Sequence, residues 1–168
     1  MSFQNQFTKT TTDANLMETV HHGSAEYPFR YYYENIALFD FKCIDWHWHS
    51  ELEFIYIESG NVVFDIGTVH FELNEGNGIM INSKILHRLQ SSSDAIIPNF
   101  LFQPSFIAPQ DSLIYKKYIN PVISSSLEYL VFQPDIPWQK KALEIIKTII
   151  AVQETEFNRE IIVSMSVQ

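Results

Sequence analysis

Short apolar, aromatic and β-branched runs separated by turn residues recur through the first hundred positions, and after Pro104 the pattern changes, until from Trp138 the apolar residues fall at steps of three and four. Side chains i and i+2 share one face of a strand, whereas i, i+3, i+4 and i+7 share one face of a helix, so a change of period predicts a change of element. Residues 29–44, rich in aromatic and β-branched side chains, predict one or two strands entering a sheet. Short strand signals recur over residues 45–49, 52–58, 62–66, 69–73, 79–82, 87–90 and 97–103. Gly60, Gly67, Gly76 and the Ser91-Ser92-Ser93-Asp94 cluster supply turns between them. Many short strands with closely spaced turns predict a mainly β sandwich or barrel. Residues 1–17 follow neither period and are expected to form a mobile arm.

Beyond Pro104, residues 112–118 and 124–130 predict short helical pieces broken by Pro121 and Pro134. Pro137 stands where a longer helix can begin, because proline is tolerated in the first turn. Trp138, Ala142, Ile145, Ile149 and Val152 then form one apolar row, and Leu143, Ile146 and Ile150 form a second. Either the two rows share one broad core stripe, or one packs on the barrel and the other elsewhere. The apolar surface exceeds what a helix outside a barrel normally buries, so a homodimer is expected through Leu143, Ile146 and Ile150. From Asn158 a further helical pattern, Ile161, Ile162 and Met165, runs into Gln168, and the chain is expected to continue in a longer protein.

Composition narrows the function classes. A length of 168 residues fits a single domain, with 46% hydrophobic and 14% aromatic residues to build its core. Eleven Lys and Arg against 20 Asp and Glu leave a net charge of −9, which repels a phosphate backbone. Lys116-Lys117 and Lys140-Lys141 are isolated pairs and make no nucleic-acid surface. The single Cys43 excludes an internal disulfide. The start of the chain has no apolar signal segment, and no stretch approaches the ~18 apolar residues of a membrane span. A cytoplasmic protein without membrane partners is the expectation. Glycine-rich phosphate loops, nucleophile elbows and paired-cysteine zinc motifs are absent from the sequence.

Candidate chemistry concentrates between residues 47 and 87. His47 and His49, two apart on a strand, face the same way, Glu53 keeps the even spacing, and His87 arrives from a separate strand. Three imidazoles and a carboxylate suit a divalent transition metal with open coordination positions, or serve without metal as a polar wall around an organic ligand. Parity adds Ile55 and Ile81 to the same pocket. Arg30 and Tyr32 either reach a hydroxylated or carboxylated ligand or lie on the surface. Trp46 and Trp48 face away from the histidines, and His21 and His22 read as loop residues.

The run from His47 to Gly60 reads His-x-His, three residues, Glu, six residues, Gly, and so resembles the first motif of the cupin superfamily. Gly76 and His87 match the ends of the second motif, with Asn82 in place of its Pro and Lys84 in place of its inner Gly. Tyr27-Pro28-Phe29, the run from Trp46 to Phe54, and Ile81-Asn82-Ser83 with Leu86-His87 are similar to the effector-binding half of bacterial AraC-type (AraC/XylS) transcription regulators. That resemblance implies a cupin-like double-stranded β-helix, or jelly-roll barrel, over residues 18–107, followed by a helical linker and dimerisation region over 108–168. It also implies a small-molecule effector, sugars included, no required cofactor, and DNA contact only through a helix-turn-helix domain beyond residue 168. The rival reading is a metal-dependent cupin enzyme, a dioxygenase or sugar isomerase, with His47, His49, Glu53 and His87 as ligands.

Overall fold

The computed structural model describes residues 7–153 and 159–167. Its strands are β1 (Phe29–Asn35), β2 (Cys43–His47), β3 (Leu52–Tyr56), β4 (Asn61–Ile66), β5 (Val69–Asn74), β6 (Gly78–Ile81), β7 (His87–Gln90), β8 (Ile96–Phe102) and β9 (Tyr129–Phe132). They form two antiparallel sheets, ordered β1-β8-β3-β6-β9 and β2-β7-β4-β5. Within them β1 pairs with β8, β2 with β7, β3 with β6 and β4 with β5, the pattern of one long hairpin rolled into a double-sheet jelly roll. The barrel expected from many short strands with closely spaced turns and from the cupin-like motifs is thus the fold, with helices after it.

Alternation gives the first sheet two different faces. Ile55 and Ile57, Ile79 and Ile81, and Ile97 point inward to Val62, Phe64, Ile66 and Leu89 of the second sheet. From the same strands Phe54, Met80, Phe100 and Phe102 point outward. The outer face is paved with rings, Phe54 lying 5.3 Å from Phe100 and 5.8 Å from Phe102 in nearly parallel planes. Such a surface needs a cover, and the C-terminal helices supply it.

The helices are α1 (Asn120–Ile123), α2 (Pro137–Val152) and α3 (Arg159–Val167). Leu143, Ile146 and Ile149 of α2 are buried on the phenylalanine face, and Val163 of α3 joins them. Gly78 permits this approach: a Cβ there would stand 2.8 Å from Leu143 Cδ2 and 3.2 Å from the Ile55 carbonyl oxygen. The expected dimerisation row is corrected accordingly. Leu143 and Ile146 belong to the chain's own core and Ile150 packs beside it, because the ring-paved sheet absorbs one broad stripe drawn from both apolar rows. Trp138 and Ile145 are the members left exposed, at 55% and 49%. Met165 is exposed, while the side chains of Ile161 and Ile162 lie outside the described residues.

Two further expectations change. Residues 124–130 are not helical: β9 begins at Tyr129 and pairs with β6, Ile81 opposite Tyr129. Pro121 does not break its helix, because a π-helical turn over Tyr115–Ile119 leads directly into α1. Longer-span hydrogen bonding just before the proline accommodates its missing N–H. At the other end, residues 1–6 of the expected arm lie outside the described residues, whereas residues 7–17 run along the barrel. Asp45 N–H donates to Thr10 Oγ1, Asp40 N–H to the Thr8 carbonyl, and Trp48 Nε1–H to the Asn15 carbonyl. Among the described residues no helix is long and apolar enough to cross a membrane.

Candidate functional site

Both sheets contribute to the histidine cluster. His47 and His87 are register partners on β2 and β7, His49 follows β2, and Glu53 comes from β3 in the opposite sheet. A bulge makes the placement work, with Asp45 and Trp46 together facing Arg88 alone between the Ile44–Leu89 and His47–His87 pairs. Ile44 and His47 are an odd number of residues apart, yet the extra residue lets both turn inward. On the outer face Arg88 covers the Trp46 ring and bonds Asp65 at 2.8 Å and 3.0 Å, pinning the bulge from outside.

Backbone carbonyls orient two of the imidazoles. His47 Nδ1 lies 2.7 Å from the Asp45 carbonyl oxygen and His87 Nδ1 lies 2.8 Å from that of Ile85. A carbonyl only accepts, so each Nδ1 carries a proton and donates. His87 Nε2 then stands 3.2 Å from Glu53 Oε2, within ion-pair distance but without the alignment of a hydrogen bond. His49 Nε2 lies 3.3 Å from the same oxygen, and its Nδ1 is buried without a hydrogen bond among the described residues, 3.8 Å from Glu51 Oε2. Burial opposes a charge on Glu53, but the His49 and His87 imidazoles outweigh it and hold the carboxyl well below the usual range. His47 goes the other way: burial, then the neighbouring His87, push it down to about 3, so it is neutral at physiological pH.

Beside the cluster lies a cavity of about 40 Å³ under residues 7–10. His47 and Glu53 form part of its wall with Tyr32, Glu34, Asn99 and Leu101, while Phe7 closes it with its ring centroid 6.0 Å from Tyr32. Asn99 Nδ2 donates to Glu34 Oε2 at 3.0 Å and to the Ile97 carbonyl at 3.1 Å. Burial raises the Glu34 carboxyl to about 7 despite the Asn99 bond. His22 links Tyr32 to Glu18, with Nδ1 2.9 Å from the tyrosine hydroxyl and Nε2 2.9 Å from Glu18 Oε2. Burial disfavours the His22 cation, but Glu18, Glu51 and Glu53 outweigh it and raise its pKa.

Of the residues expected at the site, His47, His49, Glu53 and His87 converge, their ligand atoms all within 4.8 Å of one another. Tyr32 joins the cavity wall. Ile55 and Ile81 point inward as parity requires, but they are fully buried in the apolar filling of the barrel and do not line the cavity. Arg30 is exposed, its guanidinium 5.7 Å from the Tyr32 ring centroid, and is not a cavity residue. Glu18, His22, Glu34 and Asn99 were not singled out as cavity residues. Parity on β1 carries a signal for one of them, since Tyr32 and Glu34 are two apart on the same face.

The donor set fits a divalent transition metal. His87 Nε2 and His49 Nδ1 are buried without hydrogen bonds, and the Nε2 lone pair of His87 faces a carboxylate oxygen, so a proton or a cation is needed between them.

Residues 38–110 match the AraC-like ligand binding domain family. Over 140 residues, 82% of this chain and 47% of the relative, the sequence is 32% identical to the uncharacterized HTH-type transcriptional regulator YdeC of Bacillus subtilis (strain 168). The chain therefore spans about half the length of that curated relative. Among solved structures, apo ToxT from Vibrio cholerae strain SCE256 is similar at a TM-score of 0.52 and 9% identity, over 86% of this chain and 54% of that one, a likeness of fold.

Proposed function

Because residues 38–110 match the AraC-like ligand binding domain family, we propose that this chain is the small-molecule sensing part of a cytoplasmic bacterial transcription regulator of AraC type. The observation that carries this reading is the cavity under residues 7–10, where a barrel filled with isoleucine, valine and phenylalanine keeps His47, Glu53, Glu34 and Asn99 together. Burying polar groups costs stability unless they are partnered, so their grouping supports a polar ligand that partners them. A sugar would be one such effector. DNA contact belongs to a helix-turn-helix portion outside residues 1–168, consistent with a net charge of −9 here. A ligand shifts a regulator only through different affinity for two arrangements, and residues 7–10 are the element whose placement an effector in the cavity alters. Self-association, if it uses α2, uses Trp138 and Ile145.

A second reading is favoured by the convergence of His47, His49, Glu53 and His87 within 4.8 Å. These residues would hold a divalent transition metal, which would supply Lewis-acid activation of a bound oxygen group in a cupin enzyme.

Elemental analysis joined to thermal melting separates the two. The expected result is metal well below one equivalent, and small polar compounds that raise the melting temperature of the wild type but not of Leu101→Phe, whose larger side chain fills the cavity. Near one equivalent of Fe, Mn, Ni or Zn, lost in His47→Ala, would instead favour the enzyme.

A further inference from the structure

We infer that the cavity selects a ligand bearing a protonated nitrogen, an ammonium or amidinium-type group, and that Glu34 is the residue that pairs with it; this rests on the effector-binding reading above. Most hydrogen-bond donors in the cavity wall are already committed. Both amide N–H groups of Asn99 are committed, one to Glu34 Oε2 and one to the Ile97 carbonyl. His47 spends its Nδ1 proton on the Asp45 carbonyl. Tyr32, His22 and Glu18 bond one another in a chain, which frees at most one donor whether His22 holds one proton or two. Thr10, whose Oγ1 accepts from the Asp45 N–H and whose own hydrogen is uncommitted among the described residues, and the exposed Lys9 are the remaining donors, both on the segment over the cavity; on the barrel side of the wall acceptors are in excess. The second oxygen of Glu34 has no hydrogen bond among the described residues, and the His47 Nε2 lone pair faces the same space.

A hydroxyl group must both donate and accept, so a polyol finds few donors in this wall. An anionic ligand meets the carboxylates of Glu18, Glu34 and Glu53. A cationic nitrogen only donates, and so matches what the wall has left over. It also supplies the charge that Glu34 lacks. Glu18 and Glu53 have histidine partners, but Glu34 has only an amide, and Lys9 at the rim makes no ion pair among the described residues. Burial raises the Glu34 carboxyl, and the Glu53 and Glu18 carboxylates nearby add to the rise. Size agrees too. About 40 Å³ holds an ammonium-sized group, since a single water needs about 10–15 Å³ on that scale, and the rings of Phe7, Tyr32 and Phe39 border the space as faces for a cation.

The test uses the chain of residues 1–168 at pH 8, with thermal melting and calorimetric titration of methylammonium, ethanolamine, putrescine and guanidinium against ethylene glycol, 1,4-butanediol, urea, glucose and acetate. At least one cationic compound is expected to bind and raise the melting temperature while its neutral counterpart does not, and Glu34→Gln is expected to weaken it at least tenfold. Should that variant fail to fold by circular dichroism, Glu34→Asp, which retains the charge but withdraws it by one methylene, is expected to weaken binding while keeping the preference for cations. Absence of binding by every cationic compound overturns the inference, as does binding unchanged by substitution at Glu34. Glucose or a diol binding in place of the cations, and excluded by Leu101→Phe, overturns it while leaving the effector reading intact. Failure of all compounds together with stoichiometric metal removes both.

Discussion

At the scale of single residues, Glu34 sets a conflict between stability and binding that can be measured. Its carboxyl is raised from 4.5 to about 7 by burial, so between those pH values the unfolded chain releases a proton that the folded chain keeps. Stability therefore falls as pH rises through that window and stays lower above it, the reverse of an ion-paired carboxylate. Glu34→Gln removes the penalty. At pH 8 the variant should be more stable by up to about 3 kcal/mol, with little difference at pH 4, as read by urea denaturation at the two pH values. An equal effect at both would mean that the carboxyl is not held protonated by burial. The same residue illustrates what spacing can reveal. His47, His49, Glu53 and Gly60 form a contiguous pattern, and His87 was found because a motif points to it. Glu34, Asn99, Glu18 and His22 come from separate segments with no shared spacing, and only the β1–β8 register, which sets Tyr32 opposite Asn99, draws two of them together. For Arg30 the sequence leaves open a ligand contact or a surface position, and the second holds, because its long side chain on the edge strand reaches solvent.

Among the elements, the seat of α2 on β6 is the tightest contact. Gly78→Ala puts a methyl group against both Leu143 and the Ile55 carbonyl, and should destabilise the protein by about 1–3 kcal/mol. Leu143→Ala alone should cost about 2–5 kcal/mol by leaving a void. Combined, the two should cost clearly less than their sum, because the alanine methyl occupies part of that void. Additive costs from chemical denaturation would show that α2 does not lie on Gly78 as described. The strands of the barrel were legible as short β-branched and aromatic runs between turn residues, and α2 because it keeps one period long enough to count. β9 was not, since residues 124–130 end in a short apolar stretch that fits either period, and only pairing with β6 decides it. The helix through Pro121 was missed for a related reason. Proline marks an interruption locally, and the π-helical turn that accommodates it has no sequence signature here.

For the whole molecule, oligomeric state is the property that burial within the chain most redirects. Both rows of α2 look available in the sequence, yet one chain buries Leu143, Ile146 and Ile149 by itself. Substitution of Ile146 by Glu should therefore unfold the protein, and it says nothing of self-association. Ile145→Glu should leave the fold unchanged, and in sedimentation at micromolar concentration it should shift any dimer towards monomer. A dimer that survives Ile145→Glu and Trp138→Glu together would place the contact away from α2. The first sheet has a consequence of its own for signalling. Glu53 looks into the cluster, while its neighbours Leu52 and Phe54 on β3 look out to the bed of α2. The sheet is a partition one residue thick, and the step from one side to the other is a single Cα–Cα distance of about 3.8 Å. News of an occupied cavity need not travel a route through the molecule, for the wall that receives it on one side is already the floor on which the helices rest.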